Sequence, residues 1–199
     1  MAFAVIKRGA QGDGYFAVPL HGSSFFISAS QFTHYKLQVE QQLSEHEFIH
    51  LLAQIQTLNC RKTALDALAR REHSRQELEL KLRRKNIPLP IIEEVLDQLQ
   101  QEKLLDERRF CQQFILSRQK RNPEGRTVLL QRLRQKGVDS STANEAVDAY
   151  FSEEENLSSA IAKAIQRAKR TDGSVEDLKR HLLKKGFLSY QIKAYFEEQ

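Results

Sequence analysis

Along residues 64–99 the apolar positions fall three and four apart: Ala64, Leu65 and Leu68, then Leu78 and Leu82, then Ile92, Val95, Leu96 and Leu99. That spacing is the period of helices with one buried face, so three short helices are expected. The pattern returns twice. Moved forward 51 positions, Leu78, Leu82, Ile87 and Ile92 coincide with Leu129, Leu133, Val138 and Ala143; moved 100 positions, they coincide with Leu178, Leu182, Phe187 and Ile192. Polar marks travel with them, Ser74 falling on Gly125 and Ser174, and Lys85-Asn86 on Lys136-Gly137 and Lys185-Gly186. A period near 50 residues points to stacked supersecondary units, each too small to bury its apolar face alone.

Start and stop signals sit at matching places in each unit. Ser74 with Glu77, and more weakly Ser174 with Asp177, read as capping boxes that open the second helix. Asn86, Gly137 and Gly186 stand where that helix should end in a left-handed residue. Pro90 suits the first position of the third helix, with Ser140 and Ser189 as the corresponding caps. Between units, Lys103 to Phe110 reads as another start, with Asp106 as N-cap and Leu105 stapled to Phe110. Ser152-Glu-Glu-Glu155 marks a boundary or an acidic first turn, after which Ala160, Ile161, Ala164, Ile165 and Ala168 continue the buried stripe. Tyr195 and Phe196, at the positions of Val95 and Leu96, are expected in the core.

Residues 1–43 follow a different pattern. Phe3–Ile6, Tyr15–Leu20 and Ser24–Ser28 are short runs rich in aromatic and β-branched residues, separated by Gly12-Asp13-Gly14 and His21-Gly22-Ser23. They predict a small antiparallel sheet of two or three strands, too small to stand alone. From Ser44, capped with Glu47, the helical period begins, with Phe48, Leu51, Leu52, Ile55 and Leu58 on one stripe. The expected fold is mainly α: tandem three-helix repeats in an elongated curved array, with a small N-terminal antiparallel β-sheet. The boundaries drawn from these signals are 1–43 for the β extension, 44–102 for a linker helix and first unit, 103–152 for the second and 153–199 for the third.

Charge sharpens the picture. The net charge of +5 is unevenly spread: residues 1–59 hold three basic and four acidic side chains, residues 61–136 hold 19 and 11, and residues 137–199 hold nine and 11. The first two units therefore carry a basic field suited to phosphate backbones or acidic protein surfaces. No run approaches 18 apolar residues and the N-terminus lacks an export signal, so a cytoplasmic protein with no membrane partner is expected. Cys60 and Cys111 have no Cys or His at ligand spacing and read as buried reduced thiols.

Candidate chemistry is sparse. His46-Glu47-Phe48-Ile49-His50 spells H-E-x-x-H, the pattern of zinc hydrolases, but Glu47 is already used in a cap and only Asp66 and Glu72 follow as third ligand. His46 and His50 are accordingly read as a solvated face, with no metal. No Gly-rich phosphate loop, Ser/His/Asp set or carboxylate dyad emerges, which argues against an enzyme and against a cofactor. What stands out is a basic stripe. Arg118, Lys120, Arg121, Arg126, Arg132, Arg134 and Lys136 gather about the turn Asn122-Pro123-Glu124-Gly125, while Arg70, Arg71, Arg75, Arg83, Arg84 and Lys85 rim the equivalent part of the first unit. Lys169, Arg170, Lys179, Arg180, Lys184 and Lys185 give the third a smaller edge.

The run L-L-D-E-R-R-F-C at 104–111, then Arg118, Gly125-Arg126 and L-x-x-x-L-x-x-K-G-V at 129–138, resembles the signature of the RecX family, bacterial regulators of the RecA recombinase, over roughly residues 60–196. The resemblance implies three tandem three-helix units and a monomer that binds the RecA filament and single- and double-stranded DNA. On that reading the stripe faces DNA or acidic recombinase surface, the protein restrains ATP hydrolysis and strand exchange, and the nucleotide belongs to the partner. A stand-alone, sequence-tolerant DNA binder and a protein scaffold without DNA contact are the rivals; the second helices offer few Asn or Gln for base edges, which speaks against a helix-turn-helix reader.

Overall fold

The computed structural model describes residues 2–10, 14–168 and 174–197. The turn at Gly12-Asp13 and the cations Lys169 and Arg170 lie outside the described residues. The chain divides into two compact bodies, one formed by Met1–Leu65 with Leu82–Val95, the other by Asp66–Lys81 with Leu96–Gln199.

In the first body, β1 (Ala4–Arg8), β2 (Tyr15–Pro19), β3 (Phe25–Ile27) and β4 (Gln42–Leu43) form an antiparallel sheet in the order β3-β2-β1-β4. Alternation puts Ala4, Ile6, Ala17, Ile27 and Leu43 on one face, buried with Leu51 and Ile55 of the long helix that follows. This is the support that so small a sheet requires. The sheet has one strand more than expected. Qualitatively, β4 escapes sequence reading because two residues carry no alternation. The helix α1 (Ala29–His34) was equally unforeseen; its capping box joins Ser28 and Gln31, and Phe32 packs against the core while Tyr15 stacks on it at 3.6 Å.

Helix α2 (Glu45–Leu68) runs unbroken for 24 residues, so the predicted linker helix and the first helix of the first repeat are one element. Ser44 and Glu47 form the expected cap, with the Ser44 N–H donating to the carboxylate at 2.8 Å and the Glu47 N–H to the hydroxyl at 3.3 Å. Leu58, expected in the stripe, is exposed, while Cys60, Ala64 and Ala67 are buried. Ile55 and Cys60 stand five positions apart, about 140° around the helix, so the buried face changes sides between the two halves of α2.

The repeat helices follow: α3 (Arg75–Arg83) and α4 (Leu89–Gln101), then α5 (Glu107–Arg121), α6 (Arg126–Gln135) and α7 (Ser140–Phe151), then α8 (Glu154–Ala168), α9 (Val175–Lys184) and α10 (Ser189–Glu197). Asn86, Gly137 and Gly186 all have positive φ, at 57°, 78° and 86°. The third helices begin one residue earlier than predicted. Asp139, not Ser140, caps α7, because its carboxylate accepts from the Ser141 and Thr142 N–H groups at 2.9 and 3.0 Å. Likewise α4 starts at Leu89 with Pro90 second, and α10 starts at Ser189 after Leu188.

Within the second body, Phe110, Cys111, Ile115, Leu129, Leu133, Ala143 and Val147 fill the core of α5–α7, and Ala160, Ile161, Ala164, Leu182, Phe187 and Ile192 that of α8–α10. Phe151 packs against both cores, and Tyr195 and Phe196 line the second. Each fully buried Leu or Ile here stabilises by about 1.5–3 kcal/mol. The second helices also meet end to end. The Ser74 hydroxyl, before α3, donates to the Lys136 carbonyl after α6 at 2.6 Å, and the Gly125 and Thr127 N–H groups opening α6 donate to the Lys185 and Gly186 carbonyls after α9 at 2.8 and 3.2 Å. Each start satisfies groups left over at another helix's end.

Candidate functional site

The turn joining α5 to α6 is built around Glu124. Gln119 clamps its backbone, donating from Nε2 to the Glu124 carbonyl at 2.7 Å and accepting the Glu124 N–H at 3.3 Å. The side chain is only 2% exposed. Its carboxylate accepts from Arg118 Nε at 3.1 Å, from a second Arg118 nitrogen, and from Arg132 Nε at 2.8 Å. Burial works to raise the Glu124 pKa, but the hydrogen bonds from Arg118 and Arg132 outweigh it and hold the carboxyl below its ordinary range. Two cations of the stripe therefore close on one buried acid.

A similar clamp forms where Ser74 meets Lys136. Glu77 accepts from Lys136 Nζ at 2.7 Å and from Arg71 at 2.8 Å. Burial again opposes the charge, and the bonds from Lys136 and Arg71 hold the Glu77 pKa down. This corrects the predicted capping box at Ser74. The Glu77 N–H does donate to the hydroxyl at 3.2 Å, but the carboxylate turns outward to the two cations instead of back to Ser74. At Ser174 and Asp177 both halves of the box are present. Arg71 and Lys136 border a cleft of about 380 Å³ with Glu72, Phe110 and Phe114. Glu72 in turn accepts from Arg109 Nε at 2.9 Å, and Arg109 also donates to the Lys103 and Leu104 carbonyls.

Other members of the stripe are also spoken for. Arg126 grips Asp148 through two bonds of 2.7 and 3.0 Å and reaches Asn144 at 3.1 Å, which raises the arginine pKa and lowers that of the aspartate. Arg75 pairs with Asp97 at 2.7 Å and also bonds Gln100. By contrast Arg70, Lys120, Arg121 and Arg134 are exposed and form no ion pair among the described residues. Arg83, Arg84 and Lys85 are exposed at the end of α3, in the first body. In the third repeat, Lys179 and Arg180 form surface pairs with Glu176 and Asp177, each at 3.0 Å.

From the sequence Lys185 belongs to the third repeat's smaller basic edge, and no local signal marks Arg167. Arg167 donates to the carbonyls of Lys120, at 3.2 Å, and of Arg121, while Lys185 Nζ donates to Asn122 Oδ1 at 2.7 Å. Glu124 does carry a sequence signal, as the lone acid between Glu107 and Asp139 amid nine Lys and Arg. In the H-E-x-x-H run, His46 and His50 are exposed and stacked at 6.3 Å, and no metal-holding group of three ligands occurs among the described residues.

The fold of the second body is a module of tandem three-helix repeats that carries exposed cations at Arg70, Lys120, Arg121 and Arg134. Comparison with known proteins bears on which one. Residues 60–99 match the RecX first three-helix domain and residues 106–147 the RecX second three-helix domain. A Regulatory protein RecX of Prosthecochloris aestuarii is 37% identical over 135 residues, covering 68% of this chain and 89% of the relative. That of Bacillus subtilis is 26% identical over 181 residues, covering 88% and 68%. A crystal structure of regulatory protein RecX superposes with a TM-score of 0.66 at 18% identity over 99% of this chain and 100% of the other, a likeness of fold. The chain belongs to the RecX family of regulatory proteins. Among the described residues no helix is long and apolar enough to cross a membrane.

Proposed function

We propose that this protein regulates the RecA recombinase by lying on its filament, with exposed cations of the second body facing DNA phosphates. In doing so it restrains ATP hydrolysis and strand exchange, acting as a cytoplasmic monomer without catalytic chemistry of its own. The observation that carries the reading is the division within the stripe. Arg71, Arg118, Arg126, Arg132 and Lys136 are engaged by three carboxylates, Glu77, Glu124 and Asp148, whereas Arg70, Lys120, Arg121 and Arg134 are exposed and form no ion pair among the described residues. Exposed, unpaired cations attract a polyanion and release its counterions, and phosphate contacts position a protein without reading bases. That suits a partner assembled on DNA of any sequence.

The test replaces Lys120, Arg121 and Arg134 together by Gln, then measures ATP hydrolysis by a RecA filament and binding to bare DNA. Loss of both supports the proposal. Loss of bare-DNA binding with filament inhibition intact leaves a stand-alone DNA binder, and no change in either leaves a scaffold that uses other surfaces.

A further inference from the structure

Around the end of α5 the third repeat adds its own cations to those of the second. Arg167 is seated on the Lys120 and Arg121 carbonyls, the orphan acceptors of the last turn, and Lys185 is seated on Asn122. A guanidinium carries five N–H donors and these bonds use two; an ammonium carries three and its bond uses one. Both groups are thus fixed in place with donors to spare. None of Lys120, Arg121, Arg167 and Lys185 forms an ion pair among the described residues, in contrast to the neighbouring Arg118 and Arg132 on Glu124. A second sign of uncompensated charge comes from His181 on α9, whose pKa is lowered by burial and further by Lys185 and Lys184.

We infer that Lys120, Arg121, Arg167 and Lys185 form a preorganised notch for a nucleic-acid phosphodiester, so that the third repeat takes part in DNA contact. The inference rests on the proposed function and names where the phosphate sits. A phosphodiester is favoured over an acidic protein segment because the notch presents N–H donors and no aromatic anchor of the kind that dominates protein interfaces.

The experiment uses the full chain with a fluorescent oligo-dT across a salt series, comparing it with Arg167→Gln/Lys185→Gln. Each lost contact to a single strand lowers the slope of log K against log salt by about 0.7, so the double variant should fall by about 1.4. Because Arg167→Gln also uncaps α5, a second measurement uses the unaltered protein: NMR titration of His181 with and without oligo-dT. Bound phosphate beside Lys185 should raise the His181 pKa. An unchanged slope in a folded variant, or an unchanged His181 pKa with oligo bound, overturns the notch while leaving DNA binding elsewhere intact. A rise with poly-glutamate but not with oligo-dT overturns it in favour of an acidic protein segment. If the unaltered protein binds neither DNA nor the filament, the proposed function itself fails.

Discussion

Replacing Glu124 by Gln should weaken the fold and strengthen DNA binding at once. The carboxylate is buried and receives three hydrogen bonds from Arg118 and Arg132. Removing one partner of a fully buried ion pair costs about 3–5 kcal/mol. Here the arginine side chains are 27% and 40% exposed, so water recovers part of their solvation once the acid is gone. The amide keeps one acceptor but turns its N–H₂ toward guanidinium. A net loss of about 2–3 kcal/mol follows, in line with charged hydrogen bonds worth roughly 1.5–3 kcal/mol. With a urea m-value of about 2 kcal/mol/M, the unfolding midpoint should drop by about 1 M. Meanwhile two cations lose their internal counter-charge beside the exposed Lys120 and Arg121, so oligo-dT affinity should rise and its salt slope steepen. Urea melts followed by circular dichroism, alongside anisotropy at matched salt, read both effects. Arg118→Ala, which strands the same acid, should destabilise far more than Arg121→Ala. Equal and negligible losses for that pair, or a Gln variant as stable as the parent, would refute the account of Glu124 as an internal counter-charge.

Gly125→Ser restores the residue found at the equivalent Ser74, yet it should destabilise by about 1–3 kcal/mol, since a Cβ there would lie 2.2 Å from the Phe187 nitrogen; a thermal melt checks it. Gly186→Ala, at φ +86° and with Cβ 2.6 Å from the Val128 nitrogen, should cost at least as much in the same assay. Acid should lower stability in two pH windows. His73 and His181 have pKa values lowered from 6.5, so the unfolded chain gains protons first and stability falls as pH drops below about 6.5; Glu77 and Glu124, lowered from 4.5, add a second loss below about 4.5 as pH passes toward their folded values. Urea midpoints across that range should show both steps. Burial pushes the Cys60 thiol up to about 11 and the Cys111 thiol up to about 12, so both should react with Ellman's reagent at pH 8 only after unfolding.

What the sequence determined by itself was local. Helix periods, the left-handed stops at Asn86, Gly137 and Gly186 and the Asp106 cap all depend on residues a few places apart, whose energetics act before any distant contact forms, and Leu78 returns at Leu129 and Leu178 because each unit repeats the same local rules. It also located the basic field, because charge density is a property of composition. Tertiary structure decided which of those charges are spent. Glu77 meets Lys136 across 59 positions and Lys185 meets Asn122 across 63, pairings that no spacing rule encodes. The same holds for Gly125 standing where the first repeat has Ser: only the close approach of the Phe187 backbone explains it. Ion pairing falls off within a few ångströms, so whether an arginine is a strut or a free cation is settled by neighbours the fold supplies.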